Sequence, residues 1–307
     1  MRDEEHWMSK PHVILAVAAT ALIGTGYSLQ QTSPDGLANA ETQTIQIAAQ
    51  SAPKPLYQMT EKEVDAWLPK LRGKTLPERM DEVSARALNT PYFLGPLGEG
   101  PAAPFDKKPL MDLSRVDCVT FCEQTLALSL AKTQRQAYEL LQKIRYKGGE
   151  RADQRLMETR NHYFMADWVP NNRWLLNDVT PSLPGRQSLT RTISHKQLFS
   201  SQKLQGIQVR EPDRSLTIHY VPDTALKGLE KYLKSGDIGV LIQNQDGIFA
   251  AHTGIMFKRP DGNWVFRNAT SLAPKRVVDT PWPELISSLQ QSKRLIGMSF
   301  VRPRQQP

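Results

Sequence analysis

What limits the folds open to this 307-residue chain most sharply is a change of period along it. Up to Trp168 the apolar residues recur at helical spacing. Thr60–Leu71 opens with Thr60 followed three residues later by Glu63, a capping pattern, and Thr75–Leu88 carries Pro77 near its start. Ser114–Lys132 and Gln134–Ile144 read as two further helices, the second ending before Gly148-Gly149, and Arg155–Trp168 is helix-compatible. Asn171–Gly206 is irregular. Beyond it Ile207–Val209, Leu216–Val221, Ile238–Gln243, Thr253–Phe257 and Trp264–Arg267 read as short strands, separated by turn signals such as Asp246-Gly247 and Asp261-Gly262. Asp223–Lys234 reads as a capped amphipathic helix among them. Helices first and antiparallel sheet second predict an α+β domain, with no internal repeat.

The first 40 residues stand apart from that domain. Val13–Ile23 is an apolar run short for a membrane span, and Ala38-Asn39-Ala40 fits a small-residue cleavage site. These features predict a signal peptide at residues 1–40, with an uncleaved N-terminal membrane anchor as the alternative. Either places the protein in an extracytoplasmic space, periplasmic or secreted. Residues 41–56 read as a polar flexible linker and 57–307 as the folded domain. The net charge of +8 fits an anionic membrane, an anionic wall polymer or nucleic acid. Export argues against nucleic acid, and the cations form no dense run. Two cysteines four residues apart make no disulfide framework.

Those cysteines carry the chemistry. Ser114 and Asp117 are both suitable N-caps, and Val119, Phe121, Cys122, Leu126 and Leu130 give an apolar face beyond them. Cys118 then sits in the first helical turn, where unpaired N–H groups and the helix dipole lower a thiol pKa and can hold an oxyanion. The competing reading of a cysteine is a small packed hydrophobe, and Cys122, one turn on, is expected to be that. Helix geometry argues against a disulfide between the two. Just upstream, Asn89–Pro104 is a Gly/Pro-rich loop carrying Tyr92 and Phe93.

A base and its orienting partner follow in chain order. His252 lies in AAHTGIMF, 134 residues after Cys118, at the start of a strand that reads as half buried. Asn268, 16 residues later, ends the next strand. Adjacent antiparallel strands can set an imidazole beside a carboxamide. Cys, then His, then Asn is the order of papain-like thiol hydrolases. Histidines and cysteines show no short metal-ligand spacing, so no metal or cofactor is expected.

Seven blocks extend this pattern: TPYFLGPLGEG, DCVTFCEQTLALSL, RNHYFMADWVPNN, IHYVPD, KSGDIGVL, AAHTGIMF and RNATS. Together they resemble the NlpC-type, papain-like cell-wall cysteine peptidases, and more closely the N-acetylmuramoyl-L-alanine amidase-like family. The resemblance runs from about Ala87 to Asn268. It implies that Cys118 is the nucleophile, His252 the base and Asn268 the residue orienting it, although the family pattern has histidine at that last position. It further implies that Tyr92 borders the cleft, that His162 and Trp168 line the groove, and that Asp117 is among the substrate-facing residues. The implied substrate is peptidoglycan or a muropeptide. The bond is the amide between N-acetylmuramic acid and L-alanine, with cleavage in the stem peptide beside D-glutamate as runner-up. A thiol acyltransferase and a non-catalytic wall-binding module are the remaining alternatives.

Overall fold

A computed structural model describes residues 53–305 apart from 203 and 205. The expected export segment and nearly all of the linker lie outside the described residues. The first helices are set by their caps. In α1 (Glu61–Trp67) the Glu63 carboxylate accepts from the Thr60 N–H at 2.7 Å while Thr60 Oγ1 accepts from the Glu63 N–H at 3.3 Å. Thr75 and Glu78 repeat the box at α2 (Leu76–Arg86), with Pro77 in the first turn where no intrahelical donor is needed. α3 (Cys118–Leu130) and α4 (Gln134–Arg145) follow. α3 is buried along all of Thr120–Ser129 and not on one face only, so its polar residues need partners inside the protein. Glu123 finds Arg145 at 3.5 Å. Burial nevertheless pushes its carboxyl up to about 7.

The helix expected over Arg155–Trp168 is replaced by short turns that end in a π-helical turn at Phe164–Trp168. There the Asp167 and Trp168 N–H groups both donate to Tyr163 O, at 2.8 and 3.0 Å, and Asp167 Oδ2 accepts the Tyr163 N–H at 2.9 Å. A local side-chain bond thus competes with the α-helical ladder and wins.

The sheet is antiparallel throughout. Its strands are β1 (Leu176–Asp178), β2 (Gln187–Ile193), β3 (Arg214–Pro222), β4 (Ile238–Gln243), β5 (Ala250–Lys258), β6 (Trp264–Ala269), β7 (Val277–Pro281) and β8 (Leu295–Pro303), in the order β2-β3-β8-β4-β5-β6-β7 with β1 also on β8. Helix α5 (His195–Ser201) follows β2, and α6 (Trp282–Gln291) follows β7. Alternation along the strands builds two cores. Ile238, Val240, Ile255 and Phe257 join the helical layer, while Leu241, Met256, Met298 and Phe300 pack with Leu285 and Leu289 of α6. The sheet is therefore covered on both faces, which fits the complete burial of β4.

Three expectations fail locally. Ile207–Val209 forms no strand. Asp223–Lys234 is two 3₁₀ turns, Asp223–Ala225 and Leu229–Tyr232, because Gly228 between them takes φ +81°. The segment Asn171–Gly206, expected to be irregular, holds β1, β2 and α5. Among the described residues no helix is long and apolar enough to cross a membrane.

Candidate active site

Asp117 caps α3, and Ser114 does not. Asp117 Oδ1 accepts from Thr120 N–H and Oγ1–H, each at 2.8 Å, and Oδ2 accepts from the Gly95 N–H at 3.0 Å. Ser114 instead bonds Asp112 Oδ1 through its N–H and hydroxyl. Asp117 is 9 % exposed with both carboxylate oxygens engaged, and it pins the Gly/Pro-rich loop to the helix start. Cys118 is the first residue of the helix and half-buried.

The expected low thiol pKa is not found. Burial pushes the Cys118 thiol up to about 12, and the adjacent Asp117 charge adds to that, against hydrogen bonding from Thr253 and the Val119 N–H. Desolvation of a thiolate outweighs a helix-terminus contribution that rarely exceeds about 2 kcal/mol. Thr253 fixes the helix start to the sheet, its Oγ1–H donating to Cys118 O at 2.9 Å. Cys122 is fully buried with its sulfur 3.8 Å from Thr253 Oγ1, and both cysteines are free.

His252 sits on β5 immediately beyond a register shift, in which Leu241 faces His252 and Ile242 faces Ala250. Such bulges turn a side chain out of the regular pleat. His252 Nε2 lies 2.9 Å from Asn268 Oδ1. The amide orientation is fixed by its other end, because Asn268 Nδ2 donates to Phe266 O and Thr280 Oγ1, each at 3.1 Å. A carbonyl can only accept, so Oδ1 faces the imidazole and Nε2 must carry the ring proton. Nδ1 is then left with a lone pair. Burial lowers the His252 pKa from its ordinary value, with the Asn268 bond and the Asp117 charge opposing it. Gly254 makes room for the pair: a Cβ there would meet Asn268 Cβ at 2.8 Å and Arg267 O at 2.7 Å.

Cys118, Val119 and His252 line one pocket of about 170 Å³, walled by residues 162–166 on one side and 248–253 on the other. His162 is in that wall, with Nε2–H donating to Met157 O at 2.8 Å; burial pushes its pKa down to about 3. Trp168 is not in the wall. It is fully buried and stacks on Phe164, which does line the pocket, at 4.4 Å between centroids. It stands behind the wall, one ring removed from the pocket. Tyr92 is half-buried outside the lining; its backbone bridges Val116, two residues before Cys118, and donates to Lys275 O at 2.9 Å.

Two features went unread in the sequence. Thr253 was legible, since alternation in AAHTG turns it opposite to His252. The second, Asp167 holding His195 Nε2 at 2.8 Å and Arg214 Nη2 at 2.6 Å, anchors the wall segment but joins residues up to 47 apart with no local signal. Among the described residues no group of three or more His, Cys, Asp or Glu is placed to hold a metal ion.

No curated protein matches this sequence. Among solved structures, a Legionella pneumophila protein of the DUF1460 family superposes with a TM-score of 0.71 at 23 % identity, over 79 % of this chain and 94 % of its own, a likeness of fold. An N-acetylmuramoyl-L-alanine amidase from Bacteroides uniformis superposes with a TM-score of 0.61 at 26 % identity, over 75 % of this chain and 99 % of its own. A Bacteroides fragilis protein provisionally named a xylanase gives 0.57 at 28 %, over 71 % and 98 %. Residues 82–293, most of the chain and all the pocket residues described above, match the AmiA-like family model, and the chain belongs to this N-acetylmuramoyl-L-alanine amidase-like family.

Proposed function

We propose that this chain is an exported cysteine amidase of papain-like layout that hydrolyses peptidoglycan or muropeptides at the amide between N-acetylmuramic acid and L-alanine. One observation carries the reading: a cysteine at a helix start shares a pocket with a histidine whose Nε2–H is held by a buried asparagine. A glycosidase would need two facing carboxylates about 5–10 Å apart, and no Asp or Glu lines this pocket.

The raised thiol pKa and lowered imidazole pKa favour a neutral resting pair over a preformed ion pair. The Cys118 proton passes to His252 Nδ1 as sulfur attacks the carbonyl carbon. The first-turn N–H of Cys118 has no carbonyl of its own helix to bond and is available to the oxyanion. Collapse of the tetrahedral intermediate breaks the C–N bond, and the imidazolium returns its proton to the leaving amine. Water then attacks the thioester, giving a proton to His252. Expulsion of the thiolate frees the carboxylic acid and the imidazolium reprotonates sulfur. Asn268 holds the ring throughout.

Mass spectrometry of defined muropeptides incubated with the purified protein and its Cys118→Ala variant tests the reading. Free stem peptide with the wild type alone supports it. Fragments cut within the stem move the assignment to endopeptidase, and muropeptides bound but never cut replace it with a binding module. Export, inferred from the apolar run at Val13–Ile23, is tested by cell fractionation.

A further inference from the structure

Three arginines are buried among the described residues: Arg145, Arg191 and Arg267. Two of them face carboxylates. Arg145 pairs with Glu123, and Arg267 with Asp81 and Asp279 at 2.8 and 2.7 Å. Arg191, 8 % exposed on β2, has no ion pair with any described carboxylate. Its Nη1 donates to Ile248 O, and its guanidinium lies 5.7 Å from the Phe249 ring centroid. Nε and Nη2 make no hydrogen bond to any described residue and are not sealed from solvent. Asp246 pulls on the charge only from beyond ion-pair distance.

A guanidinium withdrawn from water without a counter-charge is costly, and one with a free planar edge is matched in shape to a carboxylate. Ile248 and Phe249, which it touches, line the same pocket as Cys118 and His252. From Ile248 to His252 the chain spans at most about 13 Å even if fully extended, a length that three or four residues of extended peptide cover.

We infer that Arg191, which stands behind the Ile248–Phe249 wall and is not itself part of the pocket lining, is a specificity-determining residue, its free edge taking a carboxylate carried by a substrate peptide within a few residues of the scissile amide. This rests on the amidase reading and names the substrate class as an acidic peptide. The arginine's single backbone bond positions it; the substrate supplies the missing anion.

The test separates binding from hydrolysis. In the Cys118→Ala background, titration calorimetry compares N-acetylmuramoyl-L-alanyl-D-glutamate with its dicarboxamide, for Arg191, Arg191→Lys and Arg191→Gln. With Arg191 the acid binds roughly 10–100-fold more tightly than the amide. Arg191→Gln brings that ratio close to one by weakening the acid alone, and Arg191→Lys keeps part of it. The acid-to-amide ratio is internal to each protein, so a partly destabilised variant still reports. An unchanged ratio in Arg191→Gln, equal weakening of both ligands, or no binding of the acid by the parent protein overturns the assignment. Cleavage by the active protein is scored separately. An Arg191-dependent ratio with no muropeptide cut sinks the amidase reading alone, whereas cleavage with an Arg191-independent ratio sinks the arginine assignment alone.

Discussion

Replacing Asn268 with alanine removes one acceptor and two donors from a site that is 4 % exposed. The acceptor holds the imidazole Nε2–H, and its value rises as the ring becomes cationic during proton transfer. A hydrogen bond to a charged group is worth about 1.5–3 kcal/mol, and about 1.4 kcal/mol is a factor of ten in rate, so kcat should fall roughly 10–150-fold. The bond is strengthened in the transition state and the substituted atom does not face substrate, so KM should move less than about threefold. Losing the Nδ2 donors leaves Phe266 O and Thr280 Oγ1 unpaired and should cost about 1–3 kcal/mol of stability, read by urea unfolding. Steady-state kinetics on a muropeptide, with His252→Ala as reference, decide the matter. A kcat within threefold of wild type would show that the 2.9 Å contact does not orient the base. A loss equal to that of His252→Ala would show that Asn268 does more than orient it. Asn268→Asp keeps the acceptor and adds negative charge, which raises the imidazole pKa; since the neutral ring is needed, the acid limb of the rate profile should move to higher pH.

Alkylation of Cys118 by iodoacetamide should be slow at pH 7 and still rising above pH 9, because the thiol titrates far above neutrality; a plateau with an inflection below pH 7 would mean a preformed thiolate–imidazolium pair. Gly254→Ala should lose about 1–3 kcal/mol of stability and most activity, because its Cβ would overlap Asn268 Cβ and Arg267 O, and wild-type kinetics in that variant would show that the pair tolerates displacement. His162, held near 3 in the folded protein against about 6.5 unfolded, binds fewer protons when folded, so its contribution is present above pH 6.5 and is lost as pH falls towards 3. His162→Phe should flatten the unfolding free energy across that window relative to wild type, and parallel pH curves would refute the burial argument.

Local chemistry explains how much of this was legible. The capping boxes at Thr60 and Thr75, the helix starting beside Asp117 and the strands bearing His252 and Asn268 are short-range patterns, and each appears close to where the sequence puts it. The sequence of Gln187–Ile193 is largely polar because four of its seven residues are exposed, which hid an edge strand from any hydrophobic pattern. β8, which lies between β3 and β4 in the sheet, follows α6 without a clear turn signal and was likewise not read.

By itself the sequence determined the α+β order of elements, the cysteine at a helix start, and the histidine and asparagine on neighbouring strands, because caps and periodicity act over a few residues. Only the tertiary structure decided which groups are desolvated. Packing around the helix start raised the thiol pKa against the helix dipole, and it engaged Asp117 in the cap and put Trp168 behind the pocket wall. It also left Arg191 buried beside the pocket without a counter-ion among the described residues. Burial depends on contacts between residues far apart in the chain, and at the Cys118 thiol it outweighs the helix-terminus preference that the sequence expresses.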